Sequence, residues 1–216
     1  MKLSKLLCNS IAIPLLVFGI AAQAGRPLAV DDAGVNDVGA GHVEFWYGRL
    51  PQNINIWTVS PAYSPFKGFE VSATLSRDHT NDLTAKAIQG KLQLTPSNPD
   101  GCNFAVSFGT GYTNETSVNA PFLNGIGTCN TKEGSVHVNI GSSRPEGQES
   151  QSVWGIAFER DLGGVIGHIE RFGQESMRPA TQVGLRKEVI PGLQLDGTIG
   201  RYDGDTIYSV GMKKMF

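Results

Sequence analysis

The chain has 216 residues, with 18 basic against 20 acidic side chains, a formal charge of −2 and 40% apolar residues. That balance excludes a basic nucleic-acid-binding protein, and the apolar fraction is well below that of a helical membrane protein. Glycine is frequent at 27 residues and cysteine scarce at three, bulk numbers that a soluble β-sandwich of this length would also fit.

In chain order, Lys2 and Lys5 precede an apolar run, Ile11–Ile20, which leads into Ala22-Gln23-Ala24. A basic start, a short apolar stretch and an A-x-A site describe a secretory signal peptide over residues 1–24, cleaved after Ala24. The run is well short of the ~20 apolar residues that span a bilayer, and Pro14 interrupts it. Cys8 precedes the run, which argues against a lipoprotein anchor. Loss of Lys2 and Lys5 leaves 16 basic against 20 acidic side chains, a net charge near −4. The remaining Cys102 and Cys129 are an even pair in an oxidising compartment, which favours one disulfide.

Residues 25–41 are rich in turn formers and show no period. Strands then follow at 42–49, 54–62, 68–76, 84–95, 103–113, 121–129, 135–141, 151–160, 164–172, 180–189, 192–201 and 205–216. Most approach the ~9–11 residues that a tilted strand needs to cross a bilayer, and an even number returns both ends to one side. Gly125 and Gly127 blur the alternation in 121–129. Elsewhere it is clean: Phe69, Val71, Ala73 and Leu75 alternate with Glu70, Ser72, Thr74 and Ser76, and Trp154, Ile156 and Phe158 with small or polar partners. A soluble sandwich would put many charges on its polar face. Here that face is mostly Gly, Ser, Thr, Ala and Gln, which suits a barrel with lipid outside and a polar lumen.

With the N-terminus below, the upper connections are polar and slightly longer, including 142–150 and 173–179, the mild form of the outer-membrane pattern. Phe69, Phe104, Phe158 and Phe216 fall at lower strand ends, and Tyr47, Tyr112, Trp154 and Tyr208 at upper ends, where two aromatic girdles are expected. The same register sets Cys102 and Cys129 at the feet of adjacent strands, within disulfide reach.

The last strand, Asp205–Phe216, carries Tyr208, Val210, Met212 and terminal Phe216 on one face, with Lys214 the exception. It resembles the closing strand of bacterial outer-membrane barrels, in which those positions mark the chain for the barrel-assembly machinery. The segment Arg26-Pro27-Leu28-Ala29-Val30-Asp31-Asp32-Ala33-Gly34 also resembles the start of a set of bacterial barrel proteins. The resemblance implies an all-β fold, a closed antiparallel transmembrane barrel over 42–216, of about twelve strands by the reading above and roughly 10 to 14 if 121–129 is not a strand, with lumen width following the count. It implies an outer-membrane location and supplies no catalytic residues. Residues 25–41 either hang below the barrel or enter it as a plug. Closure pairs the last strand with 42–49, which brings Glu44 and Lys213 together on the inner side.

The inferred lumen face carries His42, Glu44, Trp46, Glu70, Lys91, His137, Glu159, His168, Glu170, Arg186, Glu188, Asp196 and Lys213. Such charges either pair to satisfy a narrow core or line a path for a solute. Ser135 and His137 share a face, as do His168 and Glu170, but all point away from acyl chains, and no G-x-S-x-G, H-E-x-x-H or C-x-x-C occurs. Asp31, Asp32, Asn36 and Asp37 do not have EF-hand spacing and read as turn formers. No cofactor or metal is expected. The expected function is a narrow passive channel for small polar solutes, with membrane lipid and the assembly machinery as partners. A non-conducting interaction barrel is the alternative and a lipid-modifying enzyme a third. Oligomeric state is not encoded.

Overall fold

A computed structural model describes residues 27–114 and 119–216. The signal-peptide reading of 1–24 lies outside the described residues. Twelve strands form one closed antiparallel sheet: β1 Gly41–Arg49, β2 Asn55–Phe66, β3 Phe69–Asp78, β4 Leu83–Gln93, β5 Cys102–Thr113, β6 Asn119–Asn130, β7 Ser135–Ser143, β8 Gln151–Asp161, β9 Ile166–Gln174, β10 Ala180–Ile190, β11 Leu193–Tyr202 and β12 Asp205–Met215. Each strand pairs with its sequence neighbours, and β1 closes on β12. The glycine-blurred segment is a full strand, β6, because neighbours on both sides supply its hydrogen-bond partners and packing. β2 runs on to Phe66 through a register shift between Tyr63 and Phe66, and Phe66 stacks on Phe69 with ring centroids 4.8 Å apart.

The pleat sorts side chains by face. Outward lie Phe45, Phe104, Ile140, Trp154, Ile199 and Val210 among many other exposed apolar residues. In water such a surface would aggregate, whereas in a bilayer it is the expected lipid-facing band. Inward lie buried polar residues, which meet one another directly. Thr58 and Ser76 bond at 2.8 Å, Ser60 and Thr74 at 2.9 Å, and Thr198 and Ser209 at 2.8 Å. The sheet has no edge, so its backbone groups pair within the wall, the condition for crossing hydrocarbon.

Closure follows the register read from the two chain ends. Glu44 lies opposite Lys213, and their side chains approach to 3.4 Å. Gly41 and Phe216 exchange backbone hydrogen bonds at 3.0 and 2.9 Å, which ties the terminal Phe to the start of β1. The β11–β12 turn is Asp203-Gly204, both with positive φ (48° and 90°), the two-residue hairpin geometry that twisted strands favour.

The length contrast between the two ends is uneven. The connection 94–101, on the side of the chain termini, is at least as long as 144–150 on the opposite side. It is strongly pinned. Asn98 exchanges hydrogen bonds with Asn103 and its carbonyl accepts from Asn130, beside a Cys102–Cys129 disulfide between paired residues of β5 and β6. Reduction should therefore change the gel mobility of the unboiled protein. Two free thiols in protein extracted from the envelope would contradict the pairing.

Candidate functional site: a polar lumen crossed by residues 27–40

Residues 28–36 run inside the barrel, from the foot of β1–β3 across to β8 and β9. Six of their backbone N–H groups are taken by inward side chains of the wall or of the segment itself. Ala29 and Val30 each donate to Glu170 Oε2 at 2.8 Å, and Ala29 also to Oε1 at 3.1 Å. Asp31 N–H donates to Asn139 Oδ1 at 2.6 Å, while Asn139 Nδ2 donates back to the Asp31 carbonyl at 2.8 Å. Ala33 donates to Thr128 Oγ1 at 2.9 Å, Gly34 to Asp32 Oδ1 at 2.6 Å and Asn36 to Glu70 Oε2 at 3.0 Å. A chain crossing a lumen must find such partners, since it has no ladder of its own.

Charge and packing add to this seat. Lys91 Nζ donates to Asp31 Oδ1 at 2.8 Å and to the Asp32 carbonyl at 3.1 Å. Leu28 and Val30 pack with Ala157 and Phe172, and Ala33 with Ala105 and Ile126. Gly155 is required by this path, because a Cβ there would lie 2.6 Å from Val30 Cγ2.

His42, Glu44, Glu70, Lys91, His137, Glu159, His168, Glu170 and Asp196 are buried, while Trp46, Arg186 and Lys213 are half-buried. Glu188 is exposed and accepts the Gly192 N–H at 2.7 Å, a turn role at the barrel foot. The charged groups gather in clusters. Glu159 meets Arg186 at 2.9 Å and His137 at 3.4 Å. Glu44 meets Lys213 and, at 3.6 Å, His42. His168 lies 4.0 Å from Glu170, whose oxygens also accept from Gln182 at 2.7 Å.

Ser135 and His137 do not form a nucleophile–base pair here. Ser135 donates to Asn130 Oδ1 at 2.8 Å, whereas His137 Nδ1 meets Thr128 Oγ1 at 2.9 Å and its Nε2 faces Glu159. Of the residues read from sequence as turn formers, Asp31 meets Lys91 and Asn36 meets Glu70 and His42 on the wall, whereas the Asp32 carboxylate does hold a local turn through the Gly34 N–H. Asn139 and Thr128 were missed altogether. Their only sequence signal was a polar residue at an inward position of an alternating strand.

Between residues 32–36 and the wall of β12 and β1–β4 lies a cavity of about 180 Å³, lined by Asn36, His42, Glu44, Glu70, Gln89 and Lys213 among others. Among the described interior residues, the carboxylates of Asp31, Asp32, Glu44, Glu70, Asp78, Glu159, Glu170 and Asp196 outnumber three permanent cations, Lys91, Arg186 and Lys213. The lumen is acidic.

A family model matches residues 12–205. The chain belongs to that family, described as Uncharacterised conserved protein UCP029691. Among curated proteins none is similar in sequence. The barrel is similar to a KdgM porin in complex with disordered oligogalacturonate, with TM-score 0.71 and 13% identity over 81% of this chain and 99% of that one. It is also similar to a KdgM porin structure with TM-score 0.68 and 12% identity, covering 81% and 99%. An outer-membrane channel from Pseudomonas putida F1 matches with TM-score 0.63 and 8% identity, covering 86% and 98%. At these identities the shared property is the fold, a closed antiparallel β-barrel.

Glu170→Ala should loosen the segment, because it strands the Ala29 and Val30 amides at about 1–3 kcal/mol each. Hydrogen exchange at Ala29–Asp31 should rise by roughly a hundredfold while the strands stay protected. Gly155→Val should do the same by steric displacement alone. Unchanged exchange in both variants would contradict the seat.

Proposed function

We propose that the protein is a narrow passive channel of the outer membrane for small polar solutes, its bore reduced by residues 28–36. The observation that carries this reading is the polar cavity of about 180 Å³ beside the segment, in a lumen whose wall carries clusters of ion-paired side chains. A bore of that scale suits solutes of a few heavy atoms and excludes folded chains or bulky oligomers. The interior excess of carboxylate favours cations and neutral polar molecules over anions, because field lines focus in a low-dielectric tunnel. The acidic oligosaccharide named with one KdgM porin is therefore a poor match to this lumen.

The non-conducting alternative draws on a different observation, the density of hydrogen bonds between segment and wall. If those bonds never open and the cavity does not connect both ends, the barrel is a plugged interaction scaffold.

Purified protein in planar bilayers separates the two. Under a salt gradient the channel should open in small unitary steps, and the zero-current voltage should have the sign of cation preference. A silent bilayer over a wide voltage range would sink the channel reading in favour of the scaffold. Anion preference would contradict the role given to the interior carboxylates.

A further inference from the structure

The outer surface carries a charge pattern that neither the lumen nor closure requires. Among the described strand residues, every carboxylate falls by pleat parity on the inward set, from Glu44 on β1 to Asp205 on β12, with Asp161, Glu188 and Asp205 exposed at or near strand ends. Every charged side chain turned outward is Lys or Arg, from Arg49 on β1 to Lys214 on β12. A basic residue beside hydrocarbon is costly unless it reaches the headgroup layer, where it meets phosphate.

On β9–β12 this pattern becomes a site. Arg171 pairs in register with Thr181, Thr181 with Arg201, and Arg201 with Thr206. The four share the outward face and are exposed. Arg201 donates to the Gly204 carbonyl at 2.9 Å, which uses one of its five donors. The two arginines stand two strands apart, about 10 Å at ordinary strand spacing. The next outward row towards the foot is apolar, Ile169, Val183, Ile199 and Tyr208, and the one below it is Gly167, Leu185, Gly197 and Val210. These rows enclose an apolar groove of about 770 Å³. Gly197, with no side chain on the outward face, leaves a notch in its lining. A Cβ there would meet nothing closer than 3.6 Å, so the backbone does not demand glycine at that position.

We propose that the outer face of β9–β12 is a binding site for one phosphorylated glycolipid of the lipid A class. Its phosphates engage Arg171 and Arg201, and an acyl chain lies in the groove at Gly197. Charge complementarity identifies the occupant: guanidinium and hydroxyl donors alternate across one row at the headgroup level, with an acyl-sized trough directly beneath. The row is at the barrel end opposite the chain termini, the outer-leaflet side of an outer-membrane barrel. Spacing of the two arginines suits a headgroup with two phosphates. A phospholipid with one phosphate can engage only one of the two sites in a direct ion pair without drawing the side chains together. The inference is independent of conduction.

The test uses the whole protein in phosphatidylcholine vesicles, alone, with phosphatidylglycerol, or with lipid A at matched phosphate. Retained lipid is counted by native mass spectrometry after transfer to detergent. Lipid A should be retained, and retention should fall about tenfold in Arg171→Gln/Arg201→Gln, the loss of charge-assisted hydrogen bonds. Gly197→Leu should give a comparable loss by filling the notch. Unaltered heat-modifiable gel mobility shows that each variant still forms the barrel, and a variant that fails this is replaced by Arg171→Lys or Gly197→Ala, which should show smaller losses in the same order. Equal retention of phosphatidylglycerol and lipid A would overturn the assignment, as would retention that ignores all the substitutions. A Gly197→Leu variant with altered oligomeric size but undiminished lipid A retention would make the groove a subunit contact and overturn it too.

Discussion

Closure of β1 on β12 is the constraint on which the rest of this molecule depends. An unpaired backbone group in hydrocarbon costs several kcal/mol, so an open twelve-stranded sheet could not enter a bilayer. Closure fixes the register of both terminal strands, and with it the face of every residue around the ring, since a slip by one would turn every side chain over. Glu44 and Lys213 meet for that reason, and Phe216 bonds back to Gly41. Once the ring is closed, apolar residues face lipid and polar residues face each other.

Facing each other is not enough for the acids. A confined interior with more carboxylates than cations must find donors elsewhere. Residues 28–36 supply them as backbone N–H groups. Glu170 has no lysine or arginine among its described contacts, yet its oxygens accept from Ala29, Val30 and Gln182. The segment thus completes the wall chemically while it narrows the bore physically, and the two effects cannot be separated. Displacing it would expose an acidic lumen to water and ions.

Much of this was legible in the sequence because period two is a strong signal and closure propagates it. Strand positions, the Glu44–Lys213 contact and the Cys102–Cys129 pairing all follow from one register counted from the two ends. The path of residues 27–40 was not legible. The stretch has no period, and the N–H groups of Ala29, Val30, Asp31, Ala33 and Asn36 reach partners 34 to 141 residues away, which no local pattern records. Asp31 looks like a turn former until Lys91 is placed beside it. Gly155 looks like one more small inward residue until Val30 is found against it. Ser135 and His137 show the converse, since shared facing let them be grouped, but only coordinates reveal that each is committed to another partner.

In the proposed channel, an acidic lumen, a segment seated by wall side chains and a residual cavity set the permeability from inside. The most direct test compares unitary conductance of the intact chain with that of a chain from which residues 28–36 are deleted, both folded as closed barrels. The account predicts larger steps after deletion, with cation preference retained because the wall carboxylates remain. Identical conductance with and without the segment would contradict it.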